Sequence, residues 1–324
     1  MQSKLPVWQL IYKSLLANKQ VMLLYVLESK GSSPGRQGFC MSVNEDGEMA
    51  GSLGGGIMEH KFVELARKKI ASAIKKKNTV LKKQIHNKTA KNNRSGMICS
   101  GEQTIFIYPI SSEEKKIIQS IVKAIQQESE ATLTISPKSI TLSKQLSEQQ
   151  TSLQWLSESN FIYQENVGYL NELHIIGGGH CALAFSSLMR KMDFKIHIYE
   201  TRKDLNTLVQ NKFAHKKIYL KKYDELVDYI PDGKNVYIVI MTFGYRTDAI
   251  ALQSLINKKV KYFGVLGSRN KMLKMFEELK EKGISASSLK QLHAPIGIPI
   301  KSQTPEEIAV SIAAEIIQVK NAEK

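Results

Sequence analysis

The run IIGGGHCALA, residues 175–184, carries the clearest chemical signal in the chain. Gly177, Gly179 and Ala182 follow a strand-like segment and open a helix-like one, which is the GxGxxG/A spacing of a dinucleotide loop. Gly177 permits the tight turn, Gly179 lets backbone approach a pyrophosphate, and the small Ala182 lets helix and strand pack closely. The helix N-terminus then aims amide donors at the phosphates. Glu200, 18 residues beyond Ala182 at the end of the next strand, is placed to accept hydrogen bonds from a ribose. Arg202 is either a contact for an extra phosphate or a solvated side chain. The competing reading of the whole loop is a Rossmann-like crevice that takes another ligand or none.

A second constellation is GSLGGGIME, residues 51–59. Gly54, Gly55 and Gly56 at a strand-to-helix junction expose successive amides that can cradle an anion, with Glu59 a turn further on. Packing is the plain alternative, since a close approach between this turn and the second domain would also demand glycine there. Cys99 sits in SGMICSGEQ between Gly96 and Gly101. A thiol on such a turn is a nucleophile or soft metal ligand when nearby cations lower its pKa, and a structural core residue when they do not. Cys40 falls on the buried phase of a strand, and Cys181 stands where a phosphate loop needs a small residue. His180 and His293 can reach a ligand, but no acid stands at local spacing, so structural hydrogen bonding competes with catalysis. Arg269, in Gly267-Ser268-Arg269, closes a strand at the edge where open α/β sheets bind ligands, and is a candidate anion contact.

The elements that must position these residues fall into two sets. Up to Gly168 the reading is a helix over 6–17, strands at 21–28 and 38–43, an Asp46-Gly47 hairpin turn, and a helix from Met58 to about Lys77. Strands follow near 79–85 and at 104–110, then a helix over 112–128. Residues 136–159, rich in Ser, Gln and Lys, read as surface loops with short strands. From Glu172 the pattern becomes regular: strands at 173–176, 195–200, 216–220, 235–242 and 261–267 alternate with helical stretches, which argues for a doubly wound parallel sheet. A last helix starts at Pro305 with Thr304 as N-cap and Glu307 as capping-box partner, burying Ile308, Ile312, Ile316 and Val319. The fold class is therefore α/β: a mixed α/β domain over 1–168 followed by a Rossmann-like doubly wound parallel-sheet domain over 169–324.

With 324 residues, 42% of them hydrophobic and 23% charged, the chain buries ample core for two domains, and disorder as its main state is excluded. Three cysteines with no CxxC pair argue against a disulfide framework or zinc cluster, and no apolar run reaches membrane-spanning length, so the expectation is a cytoplasmic protein without a membrane partner. The formal charge of +16 raises nucleic acid, acidic membrane lipid or a phosphorylated ligand. Much of the excess is local: residues 61–94 hold twelve Lys and Arg against one acidic residue, Glu64. No recognised nucleic-acid module accompanies it, so nucleic acid ranks last among the partners.

Several segments together resemble the xanthine dehydrogenase accessory protein family (XdhC/CoxI family). They are ESKGSSPGRQGFCMSV, EDGEMAGSLGGGIMEH and SGMICSGEQTIFIYP in the first domain. In the second they are LHIIGGGHCALA, FGVLGSRNK, LHAPIGIPI and TPEEIAVSIAAEII. The resemblance implies a maturation factor for a molybdenum hydroxylase that binds the molybdenum cofactor (molybdopterin) transiently and delivers it to the apoenzyme. A cysteine desulfurase is a further partner, and self-association is expected. It places Gly54, Gly55, Gly56, Glu59 and Cys99 around the cofactor, with Cys99 as the sulfur ligand to the metal.

Two positions depart from the family pattern. Ile57 stands where the family has Cys in GGC-x-E, and Phe243 in Thr242-Phe243-Gly244 stands where it has His. Cys99 matches the family's CGG motif although Ser100 replaces the first Gly. The alternative function is an NAD(P)-dependent oxidoreductase, with NAD(P) or another nucleotide on Gly177, Gly179, Ala182, Glu200 and Arg269. It lacks a recognisable proton-transfer pair.

Overall fold

The computed structural model describes residues 2–72, 79–85 and 101–322. The chain divides into two compact units, Met1–Gly168 and Tyr169–Lys324.

The first unit opens with α1 (Leu5–Leu16), where Pro6 lies in the first turn and loses no intrahelical hydrogen bond. The strands β1 (Val21–Gly31), β2 (Cys40–Asn44) and β3 (Met49–Gly51) follow, then α2 (Gly56–Ala71), β4 (Val80–Ile85) and β5 (Gly101–Ile110). They build an antiparallel sheet in the order β3-β2-β1-β5-β4. The Asp46-Gly47 turn joins β2 to β3, with Gly47 at φ +83°. β1 is buried on both faces, and its two-residue period sorts the core. Leu23, Tyr25 and Leu27 meet α1 residues Trp8 and Ile11 on one side; Met22, Leu24 and Val26 meet Phe62, Ala66 and Ile70 of α2 on the other.

After α3 (Lys115–Gln126) come β6 (Ala131–Ile135), β7 (Ile140–Ser143), β8 (Thr151–Ser157) and β9 (Asn160–Val167). They form a second antiparallel sheet in the order β7-β6-β9-β8; the stretch 136–159 holds the short strands β7 and β8 with their loops, as read, and β6 and β9 flank it. Its inner face supplies Leu133, Ile135, Phe161 and Tyr163 to the core shared with α1, whereas β8 is largely exposed, and that exposure blurs the alternation a strand normally shows.

The second unit runs β10 (Asn171–Ile176), α4 (His180–Arg190), β11 (Phe194–Glu200), α5 (Asn206–Gln210), β12 (Lys216–Tyr219) and α6 (Leu226–Tyr229). It continues through β13 (Gly233–Ile240), α7 (Tyr245–Leu255), β14 (Val260–Val265), α8 (Arg269–Glu281), α9 (Ala286–Lys290) and α10 (Pro305–Asn321). All five strands are parallel, in the order β12-β11-β10-β13-β14. This is the doubly wound Rossmann-type sheet, and its order reverses between β10 and β13, where such folds open a ligand crevice. Leu173, Ile175, Ile196 and Val239 pack on α4 and α10, while Ile176, Tyr199, Ile238 and Ile240 pack towards α7 and α8. The α10 capping box is formed: Thr304 Oγ1 accepts the Glu307 amide at 3.2 Å and the Glu307 carboxylate accepts the Thr304 amide. Ile312 and Ile316 are buried, with Ile308 and Val319 partly so.

Candidate functional site

In the second unit the loop after β10 lies at the switch point. Gly177 has φ +104° and donates its amide to the Tyr199 carbonyl at 2.8 Å. A Cβ there would strike the carbonyl of Met241 at the end of β13, so both conformation and packing require glycine. Gly178 donates to Glu200 Oε2 at 2.9 Å, and its carbonyl accepts the Thr207 hydroxyl at 2.6 Å. Gly179 is different. It is the N-cap of α4 at φ −72°, and a Cβ built on it meets no atom within 4 Å. Neither backbone angle nor packing inside the unit calls for glycine there; open space beside the helix N-terminus does, if something must approach the backbone. Ala182, fully buried, lets α4 sit against the sheet.

Glu200 does not stand open to a ribose. Its side chain is fully buried and its oxygens accept from the amides of Gly178, Thr201 and Arg202, from the Tyr223 hydroxyl at 3.1 Å, and from both Nε and Nη2 of Arg202 at 3.1 and 2.7 Å. Burial alone would raise its pKa, but the Arg202 guanidinium and those three amides outweigh it and hold the carboxyl at about 2. Arg202 in turn places its guanidinium carbon 4.5 Å from the ring centre of Phe243, which follows β13. Next along the same edge, Asp248 is fully buried and accepts the Thr242 amide at 2.9 Å, the Thr242 hydroxyl at 2.6 Å and the Lys271 ammonium. Arg269 is exposed at the first position of α8, whose N-cap is Ser268.

The two histidines separate. His180 is exposed and lines a cleft of about 450 Å³ with Phe213 and Glu306. His293 has an acid partner that its neighbours in sequence do not show: its Nδ1 lies 3.0 Å from Glu315 Oε1 on α10, and Glu315 Oε2 accepts the Tyr262 hydroxyl and the Gly297 amide. The His293 ring stacks on Tyr262 at 4.4 Å, which makes it part of a packed polar cluster.

In the first unit, Gly54, Gly55 and Gly56 have φ of +116°, +79° and +72°, a run only glycine adopts without strain. The amides of Leu53, Gly54 and Gly55 already have internal acceptors, that of Gly54 being the Ser52 hydroxyl at 3.0 Å. Glu59 Oε2 accepts from Leu53 and Gly55, both at 3.0 Å, and from the Ser52 hydroxyl at 2.7 Å. Close packing operates too: a Cβ on Gly54 would clash with the backbone of Pro34 and Gly35. Gln103 Nε2 ties the two loops together by donating to the Gly35 carbonyl at 2.6 Å and the Leu53 carbonyl at 3.3 Å. Ile57 belongs to the first turn of α2. Cys99, with its proposed sulfur contact to a metal, and Lys75, Lys76 and Lys77 lie outside the described residues.

The remaining cysteines are not activated. Burial pushes the Cys40 thiol up to about 12, and burial also raises that of Cys181. Among the described residues no group of three His, Cys, Asp or Glu side chains could hold a metal ion, and no helix is long and apolar enough to cross a membrane. Asp248, Tyr223 and Glu315 are the site residues that the sequence did not single out. Phe243 stands out in the sequence only as the residue in place of the family's His.

Comparison with known proteins defines the class of the fold and then the family. The model of the XdhC Rossmann domain matches residues 173–316, and that of the XdhC and CoxI family matches residues 14–80. The chain belongs to the XdhC family. It is 26% identical over 302 residues to the uncharacterized protein YqeB of Escherichia coli (strain K12), covering 91% of this chain but 43% of YqeB. It is 34% identical over 82 residues to a probable xanthine dehydrogenase subunit of Bacillus subtilis (strain 168), covering 25% of this chain and 23% of that protein. The chain thus spans less than half the length of either relative. A crystal structure described as a xanthine dehydrogenase from Bacillus halodurans shares the fold, with a TM-score of 0.68 at 20% identity over 98% of this chain and 96% of that one.

Proposed function

We propose that this chain is an accessory protein for the maturation of a molybdenum hydroxylase of the xanthine dehydrogenase type, holding the molybdenum cofactor as cargo and passing it to the apoenzyme. The observation that carries the reading is membership of the XdhC family at both ends of the chain, in the first unit and across the parallel sheet of the second. The chemistry fits a carrier better than a catalyst. Cys40 and Cys181 hold protonated thiols, and the buried acids of the second unit, Glu200 and Asp248, are saturated by internal donors. Cys99 is the residue proposed to meet the metal, and, separately, the open backbone at Gly179 and the exposed Arg269 of the second unit are proposed to take a phosphate group. A molybdenum hydroxylase apoenzyme and a cysteine desulfurase are the proposed partners, with self-association of the chain.

Purification from cells making molybdopterin should yield the pterin with the protein, detected as its fluorescent oxidation product. Folded protein that retains none and binds no reconstituted cofactor would overturn the reading. Transfer of hydride from NAD(P)H to a carbonyl substrate would instead support an oxidoreductase. That alternative is weakened by Glu200, whose lone pairs are taken up where a nicotinamide enzyme needs them for ribose.

A further inference from the structure

We infer that Phe243, backed by the Arg202 guanidinium, is a stacking platform for a bicyclic heteroaromatic ring at the mouth of the switch-point crevice, and that this site reads the ring rather than the sugar. Purine nucleotides and pterins share that chemistry. The inference goes beyond the cargo proposed above and does not depend on it.

The sheet order places β11, β10 and β13 side by side. Arg202 follows β11 and Phe243 follows β13, so their contact at 4.5 Å spans the strand between them, whose own end carries the Gly177–Gly179 loop. Arg202 is held in place by a two-pronged grip on a fully buried carboxylate, at 3.1 and 2.7 Å, which leaves its planar face to lie on an aromatic ring. Phe243 is 61% exposed although it lies only three residues beyond Ile240, the buried end of β13. Arg202 covers part of the ring and the rest faces solvent, at a place where parallel sheets of this order bind ligands.

The other half of the inference comes from what the site lacks. Donors from Gly178, Thr201, Arg202 and Tyr223 surround Glu200, so a ribose hydroxyl finds no spare acceptor there. Recognition then falls on the flat faces of Phe243 and Arg202, while the open space at Gly179 admits whatever group the ring carries.

Calorimetric titration of the full chain with AMP, 2′-deoxy-AMP and pterin-6-carboxylate tests this. The expected result is binding of at least one ring class, a loss of about fivefold or more in Phe243→Ala, as stacking on an aromatic predicts, and retention in Phe243→Trp with quenching of the new indole on binding. The 2′-deoxy nucleotide should bind within about twofold of AMP, since no sugar contact is involved. Preference for the pterin would assign the platform to the pterin of the cargo, and preference for AMP would assign it to a separate nucleotide; either supports the site. Absence of binding by both rings, unchanged affinity in Phe243→Ala, or tenfold weaker binding of 2′-deoxy-AMP would overturn it.

Discussion

Glu59 Oε2 lies 3.0 Å from the amide nitrogen of Gly55, so the glycine loop that opens α2 carries its own anion. The same device recurs in the second unit, where Glu200 Oε2 takes the amide of Gly178 at 2.9 Å. In each case a carboxylate supplied from the following helix or the neighbouring strand fixes a loop whose backbone would otherwise be free to rearrange. Both loops are therefore anchored by the protein's own hydrogen bonds.

Removing the first of these carboxylates should loosen its loop without unfolding the unit. In Glu59→Ala the amides of Leu53 and Gly55 lose their common acceptor, and their hydrogen exchange should accelerate by at least tenfold. Global stability should fall by about 1–3 kcal/mol, the range for a charged acceptor of several bonds. Glu59→Gln, which keeps one acceptor oxygen, should lie between the two. Unchanged exchange at both amides would show that the packing of Gly54 alone sets the loop.

The glycines of the two loops should separate by cause. Gly54→Ala and Gly177→Ala force a Cβ into backbone at positive φ, and each should lower the thermal midpoint by several degrees, the effect of a few kcal/mol in a domain of this size. Gly179→Ala meets no atom within 4 Å and sits at an ordinary φ, so its midpoint should match wild type. Any effect of that substitution should appear in ligand affinity alone. A destabilised Gly179→Ala protein would remove the argument that its glycine serves an external group.

The contrast between these glycines also shows what sequence could and could not reveal. GxGxxA after an apolar strand identifies the turn, the helix start and the parallel sheet, because local backbone angle and hydrophobic period are properties of neighbours along the chain. The partners of Glu200 and Glu59 are not, since an acid at a strand end reads the same whether it faces a ribose or the protein's own amides. His293 stands isolated in sequence for the same reason: Glu315 lies 22 residues away, on α10, and only the sheet brings them together. The four-stranded sheet of β6 to β9 is obscured by exposure on β8, which dilutes the alternation that marks a strand.

The lysines between α2 and Cys99 should act on partner recognition rather than on folding. Charge reversal at Lys75, Lys76 and Lys77 removes three cations from a segment whose single acid is Glu64. If that charge steers an acidic partner, association with the molybdenum hydroxylase apoenzyme should slow at least tenfold at low salt, and the difference should shrink as ionic strength rises. If these lysines form a solvated face, stability should change by less than about 0.5 kcal/mol. Equal association rates for both proteins at low salt would leave the lysines a solvated face.

Acid should weaken the second unit in two successive windows. His197 on β11 stacks at 4.9 Å on His174 of β10, with Glu172, Lys195 and Lys216 around the pair. Burial first, then the neighbouring His174, lowers the His197 pKa from 6.5 to about 4, against the opposing pull of Glu172. Between those values the unfolded chain binds the proton that the folded chain refuses, so stability is full above pH 6.5 and is lost as pH falls towards 4. Glu200, lowered from 4.5 to about 2, acts in the next window: its contribution is present above 4.5 and fades as pH falls through 2. Denaturant midpoints of the full chain, read by hydrogen exchange within the second unit from about pH 7.5 to 3, should show both limbs. His197→Phe should flatten the limb above about pH 4.5, whereas Glu200→Gln should reduce the lower limb at the cost of a lower midpoint throughout, the rest coming from Glu172, which its close contact with His174 also holds at about 2. A wild-type midpoint that stays constant from about pH 7 to 4.5 would show that the stacked pair accepts its proton without strain.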